Sequence, residues 1–237
     1  MRLSFAQDRV LAVMAHPDDA ELLCAGTLAR AKADGAAIGI CVMCRGDKGV
    51  AAGQKIENLG EVRRGEAGAA AGMLGAELFW FASPDGELMD GVAERKKLVE
   101  IYRRFRPTLV IAHCGEDYHS DHRGASALTE AASWACASHG LMTDSPAMDA
   151  PPALWWADAI NMSGFVPEFY VDVSDYVELK KKMLAAHRSQ LARGQDADFA
   201  PLAELMLRQC QARGAEAGVN AAEAFGAHRA LKRLRAW

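Results

Sequence analysis

Two short stretches of the sequence concentrate histidines and carboxylates. The first is HPDD, residues 16–19, which directly follows the apolar run RVLAVMA. The second is HSDH, residues 119–122, which lies a few residues after the apolar run TLVIAH. Adjacent carboxylates repel each other, and a protein core gains nothing from burying them unpaired. Imidazole and carboxylate groups are ligands of catalytic zinc, so the two stretches together predict a metal centre.

The spacing of these residues indicates how one ion would be held. A catalytic zinc ion typically has three protein ligands and keeps a fourth position for water. His16 and Asp19 lie three residues apart across a turn that Pro17 stiffens, so both side chains can converge on one ion. If His122 opens the helix that follows HSDH, it is the third ligand.

Asp18 and His119 then remain beside the ion without binding it. They form the acid–base pair that metal-assisted hydrolysis requires. A divalent cation also offsets the repulsion between Asp18 and Asp19 and keeps both ionised. Taken singly, HPDD is equally well explained as a turn and HSDH as a helix cap. The presence of both after strands of one sheet favours the metal centre.

Strands that alternate with helices are expected to position the two stretches. Four apolar runs predict buried strands: RVLAVMA (9–15), AIGICVMC (37–44), ELFWFA (77–82) and TLVIAH (108–113). Helices are predicted from about Ala20 to Ala33, from about Glu61 to Leu74 and from Val92 to Phe105. This alternation predicts an α/β fold with a mostly parallel sheet flanked by helices. Ligands of such folds bind at the carboxyl ends of the strands, so both stretches are expected on one rim.

The last third of the sequence is less regular. It contains the proline-rich segment DSPAMDAPPA, two strand-like segments, ALWWADAINM and EFYVDV, and a predicted helix from Ser174 to about Ala186. No long linker or internal repeat divides the chain. We therefore predict a single domain over residues 1–237, with a core at about 9–139. The remainder, about 140–237, is expected to extend the sheet and cover the site.

Composition excludes several classes of partner. The net charge of the 237 residues is −4 with acids and bases interspersed, so no nucleic-acid partner is expected. No apolar run approaches the roughly 18 residues that span a membrane, and the N-terminus lacks the apolar stretch of a signal peptide. We therefore expect a cytoplasmic protein with no membrane partner.

The six cysteines lie in apolar segments and are interpreted as small buried hydrophobic residues. Cys41 and Cys44 form a CxxC pattern within a predicted strand. Residues three apart on a strand point to opposite faces, so the two thiols are not expected to share a metal.

Three segments in combination resemble a known family. AHPDDAEL, RRGEAGAAAGMLGAE and EDYHSDH are similar to segments of the zinc-dependent N-acetylglucosamine deacetylases, the LmbE-like or PIG-L-like deacetylases. A later segment, INMSGFVPEFYVDVSDYVELKKKMLAAHRSQ, resembles the bacillithiol-biosynthesis branch. The similarity covers about residues 9–226. It implies a Rossmann-like fold, one Zn²⁺ per chain and a homo-oligomer, a hexamer being one candidate.

The resemblance also implies a role for each residue of the two stretches. The positions that match the zinc ligands are His16, Asp19 and His122. Asp18 matches the general base, His119 the histidine that stabilises the tetrahedral intermediate and assists the leaving amine, and Asp121 the residue that holds the charge of that histidine.

The substrate-binding residues are less well defined. Arg63 matches the arginine with which the family contacts its substrate. Tyr118 stands where relatives of the bacillithiol branch often carry arginine, and Asp47 where a glutamate is commoner. The loop GVAAGQKIENLG also differs from the short loop of the family. Arg63 and Tyr118 are the predicted substrate-binding residues, while the aglycone is left open.

The predicted function is zinc-dependent hydrolysis of an N-acetyl group from an N-acetylglucosamine-type small conjugate, with release of acetate and a free amine. One alternative is another metal-dependent hydrolase, such as a phosphoesterase or other amidase, which a second metal with bridging carboxylates would favour. The other is a non-catalytic sugar-binding homologue, which would need neither Asp18 nor His119.

Overall fold

A computed structural model describes residues 4–50, 53, 55–192 and 201–230. The strands are β1 (Arg9–Met14), β2 (Ala37–Cys44), β3 (Glu77–Ser83), β4 (Leu109–His113), β5 (Ala153–Ala157), β6 (Phe169–Asp172) and β7 (Ala222–Ala227). The helices are α1 (Asp19–Leu23), α2 (Ala25–Ala33), α3 (Leu59–Met73), α4 (Val92–Phe105), α5 (Ser120–Ala135), α6 (Val177–Leu184), α7 (Arg188–Leu191) and α8 (Leu202–Ala217). A 3₁₀ turn, Ser174–Tyr176, precedes α6.

The strands form one seven-stranded sheet in the order β3-β2-β1-β4-β5-β7-β6. The pairs from β3 to β5 are parallel, whereas β7 runs antiparallel to both β5 and β6. The predicted fold class, a single α/β domain with a mostly parallel sheet flanked by helices, is confirmed.

Alternating residues of the central strands divide the core into two layers. In β1, Val10, Ala12 and Met14 pack on the side of α1, α2, α3, α6 and α8. Leu11 and Val13 pack on the side of α4 and α5. Both faces of the strand are therefore buried, which explains why its sequence is continuously apolar instead of alternating.

The predicted helix from Ala20 to Ala33 is two helices, because the chain breaks at Cys24, with φ −146° and ψ 0°. The break creates a new helix N-terminus, whose unpaired N–H groups need acceptors. Glu223 of β7 supplies them: its carboxylate accepts hydrogen bonds from the N–H of Gly26 at 2.9 Å and of Thr27 at 2.7 Å. The partner lies 197 residues away from Gly26, so local pattern gives no sign of this break.

The C-terminal third contributes β5, β6 and β7, which extend the sheet beyond β4. The sequence pattern missed β7 and α8, and it predicted one helix where the structure has the 3₁₀ turn followed by α6. Ile160, Gln190 and Leu202, all from this third, line the cavity described below. In the described parts of the chain, no helix combines the length and the apolar character needed to cross a membrane.

All six cysteines are buried and free, as expected from their apolar surroundings. The expectation that Cys41 and Cys44 point to opposite faces is wrong, because both pack in the α4–α5 layer. The pairing of β2 with β3 shifts register between Val42 and Cys44, which turns the second thiol to the same side.

Candidate active site

The two polar stretches meet where the strand order reverses. β1 pairs with β2 on one side and with β4 on the other, and such switch points are where doubly wound sheets bind ligands. HPDD follows β1, and HSDH follows β4 and opens α5. A cavity of about 520 Å³ lies here. Its lining includes His16, Asp18, Asp19, Arg63, Tyr118, His119 and His122.

The HPDD turn holds its first aspartate in a strained conformation. Asp18 has φ 102° and ψ −21°, in the left-handed region, and forms the N-cap of α1. Such a conformation costs on the order of 1–3 kcal/mol for a residue other than glycine and is frequent at functional sites. Asp19 is the first residue of α1, and its Oδ2 accepts the His16 backbone N–H at 2.7 Å.

Three donor atoms from the two stretches form a small, nearly equilateral triangle. His16 Nδ1 lies 3.2 Å from His122 Nε2, and Asp19 Oδ2 lies 3.4 Å from each of these nitrogens. Zinc bonds of about 2.0–2.1 Å in tetrahedral geometry place neighbouring ligands about 3.3 Å apart. Two imidazoles and one carboxylate, with a fourth position left over, therefore fit a catalytic zinc ion in both chemistry and spacing.

Other groups of donors overlap this triangle. One combines Asp19, His113 and His122, a second combines His16, His119 and His122, and a third combines His16, Cys44 and Asp121. His113 is fully buried, and its Nε2 accepts the Ala15 N–H at 3.0 Å, so that lone pair is already used. Burial and the neighbouring His122 lower the pKa of His113 to about 4, which keeps it neutral.

Asp18 is a buried acid without a hydrogen bond to one of its oxygens. The residue is 5 % exposed, and Oδ2 has no partner among the described residues. Burial, together with the charge of Asp19, raises the pKa of Asp18 to about 7. A carboxyl group that titrates near neutral pH is suited to general acid–base catalysis.

In both candidate ligands of HPDD, His16 and Asp19, the pKa is shifted in the direction that favours the charged form. Burial alone would raise the pKa of Asp19, but His122 holds it well below its usual range. Burial alone would lower the pKa of His16, but Asp121 and Asp19 raise it to about 10. A metal ion bound by His16 would compete with a proton for this ring, because a ligating imidazole must be neutral.

His119 is oriented by the start of α5. It is the N-cap residue, and its Nδ1 accepts the Asp121 backbone N–H at 3.1 Å. Nε2 therefore carries the proton of the neutral ring. Burial, with His16 and His122 close by, lowers the pKa of His119 and favours this neutral form.

The carboxylate of Asp121 contacts a different histidine from the one that the resemblance implies. Its Oδ2 lies 3.0 Å from His16 Nε2 and 3.9 Å from His119 Nδ1. It also accepts the backbone N–H of Gly86 at 2.7 Å, and Oδ1 accepts that of Leu88 at 3.3 Å. Burial alone would raise the pKa of Asp121, but these hydrogen bonds lower it to about 2. The residue is thus an ionised acceptor behind His16.

Arg63 lies beside the cavity but is 3 % exposed. Its guanidinium donates to the Gly49 carbonyl at 2.7 Å and to Gln190 Oε1. The side chain crosses the backbone of Gly46, where a Cβ would lie 2.5 Å from Arg63 Cδ. Glu66, one turn away on α3, accepts the Ser189 N–H at 2.8 Å.

Tyr118 stands at the mouth of the cavity and is 61 % exposed. Its ring meets the rings of His119 and His122 edge-on, with centroids 5.9 and 5.8 Å apart. Asp47 lies beyond the cavity lining, where it accepts the Asp85 N–H at 3.0 Å and pairs with Arg45 at 2.6 Å. The loop that follows is described only in part, because residues 51, 52 and 54 lie outside the described ranges.

Sequence reasoning missed several residues of the site. Those that line the cavity include Lys48, Gly49, Asp85, Gly86, Ile160, Gln190 and Leu202. Asp117 was also missed, although it lies within EDYHSDH and its Oδ1 is 3.0 Å from His122 Nδ1. A carboxylate five residues before a candidate metal-ligating histidine was the available signal for Asp117. The others come from loops and from α7 and α8, whose contacts with the site no local pattern predicts.

Comparison with known proteins gives the family of the chain. The sequence profile described as "PIG-L: GlcNAc-PI de-N-acetylase" matches residues 11–133, which is more than half of the chain. The chain belongs to the PIG-L family. The matched range contains both HPDD and HSDH, so the family assignment rests on the segment that carries the site.

Relatives of this PIG-L family chain are similar over most of its length. It is 31% identical to the conserved protein TT1542 from Thermus thermophilus, with a TM-score of 0.81 and coverage of 97% of this chain and 98% of that one. It is 27% identical to the 1D-myo-inositol 2-acetamido-2-deoxy-alpha-D-glucopyranoside deacetylase of Mycobacteroides abscessus, covering 84% of this chain and 87% of the relative.

A further relative carries a different name. The 4-oxalmesaconate hydratase of Pseudomonas putida is 29% identical over 153 residues, which cover 62% of this chain and 59% of the hydratase. The aligned region thus spans less than two thirds of that relative. The more specific resemblance to the bacillithiol branch stays a prediction.

Proposed function

We propose that this PIG-L family protein is a zinc-dependent hydrolase, which removes the acetyl group from an N-acetylglucosamine-type small conjugate. The observation that carries the proposal is the triangle of His16 Nδ1, Asp19 Oδ2 and His122 Nε2 beside the buried acid Asp18. The deacetylase name of a relative similar over most of its length supports the same reaction.

His16, Asp19 and His122 would hold one Zn²⁺ per chain. When bound in such a site, zinc polarises a carbonyl group and lowers the pKa of a coordinated water to about 7. Asp121 accepts the Nε2–H of His16, which leaves Nδ1 of that ring as the lone-pair donor.

Asp18 is the proposed proton acceptor. Its pKa of about 7 leaves it partly ionised at neutral pH, and its unpartnered Oδ2 is available to a water molecule. As the water attacks the acetyl carbonyl, the proton passes to this carboxylate. The same proton is then available to the amine nitrogen as the C–N bond breaks, which yields acetate and a free amine.

His119 is the proposed hydrogen-bond donor to the developing oxyanion. Because its Nδ1 accepts a backbone N–H, its Nε2–H is fixed as the donor of a ring that lines the cavity. This role uses the neutral imidazole, so it differs from that of a protonated histidine held by Asp121.

Arg63 and Tyr118 are the proposed substrate-binding residues. Tyr118 offers an exposed ring face at the mouth, on which the apolar face of a sugar can stack. Arg63 shapes the wall through Gly49 and Gln190, so its contribution to substrate binding includes holding these neighbours.

The proposal is tested by measuring acetate release from N-acetylglucosaminyl-inositol, N,N'-diacetylchitobiose and other N-acetylglucosaminyl conjugates, with zinc content determined on the same protein. We expect about one zinc per chain and acetate release from at least one conjugate. Two tightly bound metals with phosphoester turnover would overturn the proposal. Turnover of 4-oxalmesaconate without acetate release would overturn it as well.

A further inference from the structure

The triangle of donor atoms fixes which nitrogen of each imidazole must carry a proton. A neutral imidazole has one nitrogen that bears hydrogen and one that offers a lone pair. His16 directs Nδ1 and His122 directs Nε2 toward the shared centre. To bind a cation there, His16 must carry its proton on Nε2 and His122 on Nδ1. The two ligands therefore need opposite tautomers.

Each of these outer nitrogens has its own carboxylate. His16 Nε2 is hydrogen-bonded to Asp121 Oδ2 at 3.0 Å, and His122 Nδ1 lies 3.0 Å from Asp117 Oδ1 in a charge contact without hydrogen-bond alignment. Both acids are buried, with Asp117 5 % and Asp121 0 % exposed. A buried carboxylate close to an imidazole N–H stabilises that tautomer against the other.

Asp117 is held in place by the loop before α5. Its Oδ1 also accepts the His119 backbone N–H at 2.9 Å. Arg123 Nη1 donates to the carbonyl of Asp117 at 2.7 Å and to that of Tyr118 at 2.9 Å, which fixes the backbone of the loop. One carboxylate thus touches both a candidate ligand and the residue that carries the candidate hydrogen-bond donor.

We infer that Asp117 is a positioning residue, which sets the tautomer and ring orientation of His122 so that Nε2 is presented to a metal ion. The inference rests on the proposed function, because it assumes that His16, Asp19 and His122 are the ligands. Asp121 does the same for His16, so the site has one carboxylate behind each imidazole ligand.

The competing explanation is that Asp117 only shapes the turn that starts α5. Asp117→Asn separates the two roles, because the amide oxygen can still accept the His119 N–H while the negative charge is lost. Asp117→Ala removes both. The matched control is Asp85→Asn, a carboxylate of the same cavity whose oxygens accept the backbone N–H of Gly46 at 2.7 Å and of Lys48 at 3.1 Å.

The test is zinc affinity, measured by competition with a chromophoric chelator on metal-stripped full-length protein. ¹⁵N NMR of the histidine rings then gives the tautomer of His122 in the zinc-loaded protein. Loss of a carboxylate behind a ligating histidine typically weakens metal affinity about 10–100-fold. We expect a loss of about tenfold for Asp117→Asn, a larger loss for Asp117→Ala, and less than about threefold for Asp85→Asn.

Wild-type affinity and an unchanged ring spectrum in Asp117→Asn would overturn the inference and leave the proposed function intact. Zinc binding without acetate release from any conjugate would overturn the proposed function, while the affinities would still decide the role of Asp117. A wild-type protein that binds no zinc would overturn both. Circular dichroism and thermal unfolding of the metal-free variants establish that each of them is folded.

Discussion

His16 Nδ1 and His122 Nε2 lie 3.2 Å apart, although 106 residues separate them in the chain. The sheet brings them together, because β1 and β4 are neighbours and each delivers its polar stretch at its carboxyl end. Two uncharged imidazoles gain little from facing lone pair to lone pair. A shared proton or cation accounts for their approach, and Asp19 Oδ2 completes the set.

The choice of ligands is tested by comparing His16→Ala, His122→Ala and His113→Asn. The first two should each lower zinc affinity by at least about 100-fold, since each removes one of three ligands. The third should bind zinc close to the wild-type level, because His113 Nε2 is already used by the Ala15 N–H. Metal content after dialysis measures this. Loss of zinc from His113→Asn with retention in His16→Ala would contradict this ligand set.

Asp18→Asn should remove the proposed general base and leave the three candidate metal ligands in place. General acid–base groups typically contribute 10²–10⁴-fold to rate, so we expect a loss of about that size in kcat. Zinc content should stay near one per chain, since the variant retains all three ligands. Turnover within tenfold of the wild type in a zinc-loaded variant would contradict the role.

Gly46→Ala should weaken substrate binding by displacing Arg63. Gly46 has φ +70°, and a Cβ added there would lie 2.5 Å from Arg63 Cδ. The matched control is Gly218→Ala, which has φ +72° at the end of α8 with nothing within 4 Å of its Cβ. Both variants lose about 1–2 kcal/mol of stability from the left-handed backbone.

Only Gly46→Ala displaces Arg63, so only this variant should raise KM, by several-fold. Equal KM values in the two glycine variants would show that Arg63 does not influence substrate binding. Urea unfolding of both proteins, run alongside the kinetics, verifies that the backbone costs are matched.

Elements of the fold could be predicted from the sequence where the interactions that determine them lie within the same segment of the chain. α4 and β2 occupy the predicted residues, because the helical apolar spacing of the first and the continuous apolar run of the second are properties of the segments themselves. HPDD and HSDH could be placed on one rim, since the order of strands and helices implies a parallel sheet. The break between α1 and α2 could not be predicted, because the acceptor for its N–H groups is Glu223, far along the chain.

The same limit applies to the site. Candidate ligands could be recognised by type and spacing, whereas Gln190 reaches the site only through packing of the C-terminal third against α3. The contact of Asp121 with His16 likewise depends on ring positions that the spacing of residues does not determine.

The buried pair of Lys180 and Glu223 should stabilise the contact between the C-terminal third and the core. Lys180 Nζ donates to Glu223 Oε1 and to the Leu22 carbonyl, the latter at 3.2 Å. Removing one partner of a buried ion pair typically costs about 3–5 kcal/mol, so Lys180→Met should lower the free energy of unfolding by about that much near neutral pH. Urea unfolding measures the change.

The pH dependence of the stability difference between wild type and Lys180→Met gives a second readout. Burial alone would lower the pKa of Lys180, but Glu223 raises it above the ordinary value of 10.5. A raised lysine pKa contributes stability that is fully present below pH 10.5 and is lost as pH rises through the folded pKa. The difference in free energy of unfolding between wild type and Lys180→Met should therefore be constant near neutral pH and shrink above about pH 10.5. A gap that grows in this range would contradict the ion pair.

The central claim is metal-dependent removal of an acetyl group. Its most direct test is stoichiometric quantification of acetate and free amine from an N-acetylglucosaminyl conjugate, using metal-stripped protein before and after addition of one equivalent of Zn²⁺. We predict no product before the addition and equal amounts of acetate and amine after it. Equal product formation by the stripped and reconstituted proteins, or no acetate from any conjugate tested with zinc bound, would contradict the account.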